Sequence, residues 1–287
     1  MSYKVKIVSA VAAGVLCGSS MVLAGAVSAV GSVSSIEANA GGRALPAPGP
    51  FGPTFAHRHN LGKLYFYNWS GYAQAVSKGT AYQSVSDTWK VPTVDTKVSG
   101  DQDSSDWVGI GGFKSGDNTL VQAGTEADNI GGTAIYDAWT EILPATEVVI
   151  PGLTIHPGDT IETTVALVGG KWNMTVKDVT TGKSGGRTVA YHSSEVSVEA
   201  VHERPEVGGG LSDLAKTTNV TFDPGKYGTG STPTKALLEP ATGATVDQMF
   251  MVNNAATAII ASPSLPDSDK DGFTVADGST SPPPPRS

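Results

Sequence analysis

Cysteine is almost missing from this 287-residue chain, where Cys17 stands alone in an apolar N-terminal run. The rest of the chain therefore has no disulfide, no thiolate metal ligand and no cysteine nucleophile, and its stability has to come from packing. Basic charge is also scarce. Lys and Arg together number 19 against 27 Asp and Glu, with no basic cluster, which makes nucleic acid a poor partner. Only 16% of residues are charged at all, so protonating the carboxylates in acid creates little self-repulsion, and an acidic milieu is tolerable. The five histidines, His57, His59, His156, His192 and His202, are scattered, and none stands in a recognisable motif with Ser and Asp. No D-T-G or D-S-G stretch occurs, and long amphipathic helical repeats are hard to find.

What the chain does have is glycine, 35 residues of it, with Thr, Val and Ser recurring at short spacing. That composition favours many short strands joined by tight turns. Lys4 and Lys6 precede the run IVSAVAAGVLCGSSMVLAGAVSA, so residues 1–40 read as a signal peptide, with cleavage after Ala29 or Ala40. The Gly and Ser in that run argue against a retained membrane anchor. Cys17 lacks the preceding small residue that a lipoprotein site needs. A secreted, extracellular protein without stable membrane association is expected. Its removal takes away two Lys and one Glu, leaving 17 basic against 26 acidic side chains and a formal charge of −9.

Residues 41–63 are rich in Gly and Pro and read as a linker or short pro-segment. The tail DGSTSPPPPRS is low in complexity, so residues 278–287 are expected to be disordered or polyproline-like. One domain spans 64–277. Strands are expected at SGYAQAV, TWKVP, DWVGIGG, TLVQAGT, AIYDAWTEI, DTIETTVAL, KWNMTVKDV, VSVEAV, NVTF and TAIIAS, with TTGKSGG supplying a turn. Such spacing indicates an all-β antiparallel sandwich or jelly roll.

Most hydrolase motifs fail. Gly182, Ser184 and Gly186 spell G-x-S-x-G, but a nucleophile elbow needs a strand running into a helix, and Ser184 falls in an expected hairpin turn. His202-Glu203 opens a zinc-protease motif that Pro205 interrupts and no second His completes. Asp267, Asp269, Asp271 and Gly272 open like a calcium loop, yet the twelfth position is Gly278 instead of Glu, which favours a surface turn. No metal and no cofactor is expected.

Two polar residues inside strands remain. In YDAWTEILPA, strand alternation puts Glu141 on one face with Asp137, Trp139 and Leu143. In LVQAGT, Gln122 shares a face with Leu120 and Gly124, and Gly124 leaves space beside it. A carboxylate can take a proton from water, and an amide can donate to a developing oxyanion without titrating. Together they suit acid hydrolysis of an amide bond; separately, each also fits an ordinary polar strand position.

NWSGY at 68–72, DTWKVP at 87–92, WVGIGG at 107–112, LVQAGT at 120–125 and YDAWTEILP at 136–144 resemble the ordered blocks of the glutamic peptidases called eqolisins, peptidase family G1. HPGDTIETTV, KWNMTVKDVTTGK and SSEVSVEAVHERP resemble that family too, so the likeness covers nearly all of 64–277. It implies a concanavalin A-like β-sandwich, secreted as a precursor, that cleaves proteins and peptides as an acid endopeptidase. Gln122 falls on the family's catalytic Gln, and Glu141 on its Glu, the base that activates water. Trp69 and Trp107 match family tryptophans and, with Trp139, are candidates to line a peptide groove; buried sandwich tryptophans are the alternative for each. Glu126 and Glu199 read as solvated or hydrogen-bonded structural acids.

The chain departs from the family at Gly111, where an Asp is common, and at Thr140, Ile142 and Leu143, which replace aromatics beside the catalytic Glu. Two other classes stay open on the residues. One is a β-sandwich glycoside hydrolase using Glu141 with a partner such as Glu199. The other is a non-catalytic, lectin-like relative. A monomer is expected.

Overall fold

Along the strand Lys171–Asp178 buried and exposed residues alternate, whereas every residue of Trp69–Val76, Ser105–Ile110 and Ser197–Glu203 is buried. The first pattern belongs to a sheet with one wet face, the second to a sheet covered on both. A computed structural model describes residues 55–58, 63–77 and 81–287 and shows both kinds of sheet. The expected signal peptide, and most of the expected linker, lie outside the described residues.

Twelve described strands have five residues or more: β1 (Trp69–Val76), β2 (Ser84–Lys90), β3 (Ser105–Ile110), β4 (Val121–Ile130), β5 (Thr133–Ile142), β6 (Thr160–Val168), β7 (Lys171–Asp178), β8 (Lys183–Val189), β9 (Ser197–Glu203), β10 (Ala244–Val252), β11 (Ile259–Pro263) and β12 (Phe273–Asp277). The larger sheet runs β5-β4-β3-β9-β1-β10-β11-β12 and ends on Val220–Phe222; the smaller runs β8-β7-β6-β2 and ends on short strands at Lys226–Gly228 and Lys235–Ala236. The two sheets form a β-sandwich, and the pairings among these twelve strands are antiparallel. Parallel pairing is confined to short strands: Lys63–Phe66 beside β10, and Asp213–Leu214 beside Gln102–Asp103.

Between the sheets, Val108, Ile110, Val121, Ala123, Val198 and Ala200 meet Val85, Trp89, Ile161, Val165, Trp172 and Met174. Trp89 Nε1 crosses the sandwich to donate to Thr125 Oγ1 at 3.0 Å, so the buried indole N–H is satisfied. A second cluster covers the opposite face of the larger sheet, with Leu64, Phe66, Trp69, Trp107, Leu120, Trp139 and Met249 among its members. Because successive strand residues point to opposite faces, Gln122, between Val121 and Ala123, and Glu141, between Thr140 and Ile142, belong to this second face.

Three expectations change. The sheet begins before residue 64: Phe55–Arg58 pairs with Lys63–Phe66, so part of the expected linker is strand. TTGKSGG is only partly a turn, since Lys183, Ser184, Gly185 and Gly186 belong to β8; Ser184 is exposed on a strand with no helix after it, and the elbow fails for that reason. The Pro-rich tail has no strand or helix, but its last residue is tied down, Ser287 Oγ lying 2.7 Å from Ser268 Oγ. Among the described residues no helix is long and apolar enough to cross a membrane.

Candidate active site

Strands β4 and β5 pair over ten residues without a register shift, which sets Gln122 directly opposite Glu141. Opposed residues in an antiparallel pair share a face, with Cβ atoms about 4.5–5.5 Å apart. Gln122 Nε2 donates to Glu141 Oε2 at 2.5 Å. Both side chains are buried, and Gln122 Oε1 and Glu141 Oε1 have no hydrogen-bond partner. An amide nitrogen carries two N–H donors and an ionised carboxylate has spare acceptor capacity on both oxygens. The pair thus keeps one N–H and, beyond the Glu147 backbone that favours the charged form of Glu141, carboxylate acceptor capacity for a bound group.

Two glycines make room for this arrangement. A Cβ at Gly109, opposite Gln122 in β3, would stand 2.9 Å from Trp107 Cζ3, 3.0 Å from Leu120 Cδ1 and 3.3 Å from Gln122 Cβ. A Cβ at Gly124 would be 2.2 Å from the Asp106 carbonyl oxygen and 2.5 Å from Trp107 Cβ. The space that Gly124 leaves beside Gln122 is therefore not open, as the sequence suggested, but filled by Trp107.

The structure brings Trp107 and Trp139 into the ladder row next to the pair, since Trp107 and Trp139 both face Gly124 across β4. Trp69 lies one row further out, 4.9 Å edge-on from Trp107. All three indoles are buried. Trp107 is occupied, its Nε1 donating to Glu203 Oε2 at 2.7 Å, whereas the buried Trp139 Nε1 has no partner.

Burial pushes the Glu141 carboxyl well above the usual carboxylate range; the Gln122 hydrogen bond works against this, Glu203 adds to it, and Arg187 opposes it. Arg187 was not anticipated. It comes from β8 in the smaller sheet, where an R in a Gly- and Ser-rich stretch gives no signal, and its Nη2 donates to the Thr140 carbonyl at 3.3 Å. Burial likewise raises Glu203 to about 8, although Trp107 donates to it. Four residues along the ladder, Glu126 faces Asp137 in a second carboxyl pair; burial holds Glu126 well up and Asp137 at about 6. Glu126 and Glu199, expected to be solvated or hydrogen-bonded, are fully buried, and burial raises Glu199 as well.

Glu199 occupies the same row as Glu141, but β4 and β3 lie between their strands. Three strand spacings of about 4.8 Å set those backbones about 14 Å apart, beyond the roughly 5–9.5 Å carboxyl separation of glycosidase pairs. Among the described residues no histidine is hydrogen-bonded to the pair. His202 bonds Asp106 at 2.8 Å on the opposite face, toward the inter-sheet core.

Gly111 sits at φ +88°, and a Cβ there would lie 2.7 Å from the Thr119 carbonyl oxygen. An Asp would be strained at this position. The acid in this corner is Asp117 instead, which accepts from Gly112 N at 2.9 Å and Thr119 N at 2.9 Å.

A β-sandwich whose larger sheet carries a buried amide–carboxylate pair, with no histidine hydrogen-bonded to it among the described residues, defines the class of fold and site. Residues 67–270 match the model of the Peptidase A4 family, and the chain belongs to that family. Aspergillopepsin-2 of Aspergillus niger is 30% identical over 181 residues, which are 55% of this chain and 63% of that protein, so the match spans less than two thirds of the relative. Aspergilloglutamic peptidase from Aspergillus niger superposes with a TM-score of 0.50 at 26% identity, covering 61% of this chain and 99% of that structure. Scytalido-glutamic peptidase, solved with a transition state analog inhibitor, gives a TM-score of 0.58 at 21% identity, covering 74% and 98%, and supports the fold.

Proposed function

We propose that the chain is a secreted acid endopeptidase that cleaves protein and peptide substrates with Gln122 and Glu141. The observation that carries this reading is the Gln122 Nε2 to Glu141 Oε2 bond on a buried face, with one oxygen of each side chain left unpartnered. Ionised Glu141 takes a proton from a water molecule as its oxygen attacks the scissile carbonyl carbon. The second N–H of Gln122 holds the oxyanion. The proton on Glu141 then passes to the amide nitrogen, the C–N bond breaks, and the carboxylate is restored. Trp139 Nε1 adds a free donor on the same face for a peptide carbonyl, and Trp69 and Trp107 act as its packed wall.

The family membership and the aspergilloglutamic peptidase likeness support peptide substrates. The signal-like N-terminus supports secretion. The acidic charge and missing basic cluster leave nucleic acid out. Digestion of a denatured protein across about pH 3–7 tests the reading. Activity should peak below about pH 6 and persist in a chelator and in serine- and cysteine-directed reagents. Loss of all activity in the chelator, restored by zinc, would contradict it.

A further inference from the structure

We infer that the chain binds a calcium ion at the edge of the sandwich, through carboxylates of Asp223, Asp267 and Asp271 with Asp87 beside them. The sequence offered only the loop Asp267 to Asp271, which fails as a calcium loop at Gly278. The fold adds what the loop lacks. Asp223 follows Val220–Phe222 in the larger sheet, and one oxygen from each of Asp223, Asp267 and Asp271 lies within 4.8 Å of the others. That spacing fits oxygens 2.3–2.6 Å from a shared ion.

Asp87 points independently to a ligand. It lies on β2 of the smaller sheet, wholly buried, and its Oδ1 accepts from Thr88 N at 2.7 Å while its Oδ2 has no partner. That free oxygen is turned to the cluster: a Cβ on Gly225 would stand 2.4 Å from it and 3.1 Å from the Asp271 carbonyl oxygen. Asp267 is also over nine-tenths buried, and its Oδ2 is likewise unpartnered. Its Oδ1 accepts from the N–H groups of Asp271 and Gly272, each at 3.1 Å, so the loop holds the carboxylate in place. Gly272 lets the groups close up, since a Cβ there would be 2.5 Å from Asp267 Oδ2 and 2.9 Å from Asp223 Cγ.

Two buried carboxylates with unpartnered oxygens, Asp87 and Asp267, packed with the half-buried Asp223 and Asp271 need protons or a cation. The other charges facing them are Asp269, which is exposed, and Lys226, one amine against five carboxylates. An all-oxygen set drawn from a loop, one strand and the residue after another strand is flexible enough for calcium and poorly suited to the tight octahedron of magnesium. Bound there, the ion would tie β2 of one sheet to the β11–β12 connection of the other, acting on stability and lying apart from Gln122 and Glu141.

The test is calorimetric titration of the chelator-treated protein with CaCl2 at about pH 6.5, with thermal unfolding in parallel. Saturable one-to-one binding and a raised Tm are expected, with MgCl2 at least about tenfold weaker. Asp271→Asn should lose at least about tenfold in calcium affinity, cancel the rise in Tm, and stabilise the chelated protein by relieving repulsion. Asp223→Asn, outside that loop, serves the same purpose if the loop variant does not fold. Absence of saturable binding up to about 10 mM calcium, or unchanged affinity in both variants, would overturn the assignment.

Discussion

Burial raises the Glu141 carboxyl, and Arg187, after the Gln122 hydrogen bond, is a cationic group that opposes this rise. Burial alone would hold this carboxyl protonated, and a protonated Glu cannot take a proton from water. The guanidinium from β8 pulls in the other direction, favouring the charged form. Replacing Arg187 by Gln removes that pull, raises the Glu141 pKa, and should move the acid limb of the kcat/KM profile to higher pH on an uncharged peptide. An unmoved limb would mean that Arg187 only anchors the Thr140 carbonyl. The Gln122 and Glu141 positions could be read from their strands because a carboxylate and an amide interrupt otherwise β-rich runs. Arg187 could not, since its partner lies in the other sheet and nothing local marks it.

At the scale of strands, the pair depends on an unbroken β4–β5 register and on glycines where backbone and indole crowd together. Gly124→Ala puts a methyl group 2.2 Å from a carbonyl oxygen and 2.5 Å from Trp107 Cβ, so backbone has to move. A loss of at least about 3 kcal/mol in urea unfolding is expected, at the upper end of overpacking costs. A cost below about 0.5 kcal/mol would show that Trp107 does not fill that space. All ten strands expected from β-branched and aromatic residues exist, although TWKVP marks only the end of β2. Of the long strands that escaped notice, KSGGRTV in β8 is Gly- and Ser-rich and ATVDQMFMV in β10 owes its place to pairing with β1, whereas FTVAD in β12 carries an ordinary but short β signal after the Asp-rich turn. The sheet's second covered face was also hidden. Alternation cannot show it when residues on both faces are buried, and the acids Glu126, Glu199 and Glu203 then look like surface residues.

For the whole molecule, those buried acids set a direction for stability. Glu203 at about 8 and Asp137 at about 6 lie above the ordinary carboxylate values of an unfolded chain, so the folded state holds more protons between those limits. Their contribution is complete below about pH 4 and is lost as pH rises through 6 and then 8. His202 works in the same sense: burial disfavours its charge, but Asp106 outweighs this and raises it. In the presence of a chelator, Tm should be higher at about pH 4 than at about pH 8. The opposite order would mean that these groups are ionised in the folded protein. The preference for acid in stability then has its physical origin in carboxyls kept out of water, Glu203 and Asp137 on one face of the larger sheet.

Proton abstraction by Glu141 is isolated by Glu141→Gln, because the amide keeps the shape of the side chain and removes the acceptor for a proton. The measurement is kcat/KM on an uncharged peptide at the acidic optimum, for parent and variant, with circular dichroism confirming that both are folded. A loss of at least about a thousandfold in a folded variant is the expected result. A folded Glu141→Gln protein that cleaves the peptide at near-parental rate would contradict the assignment.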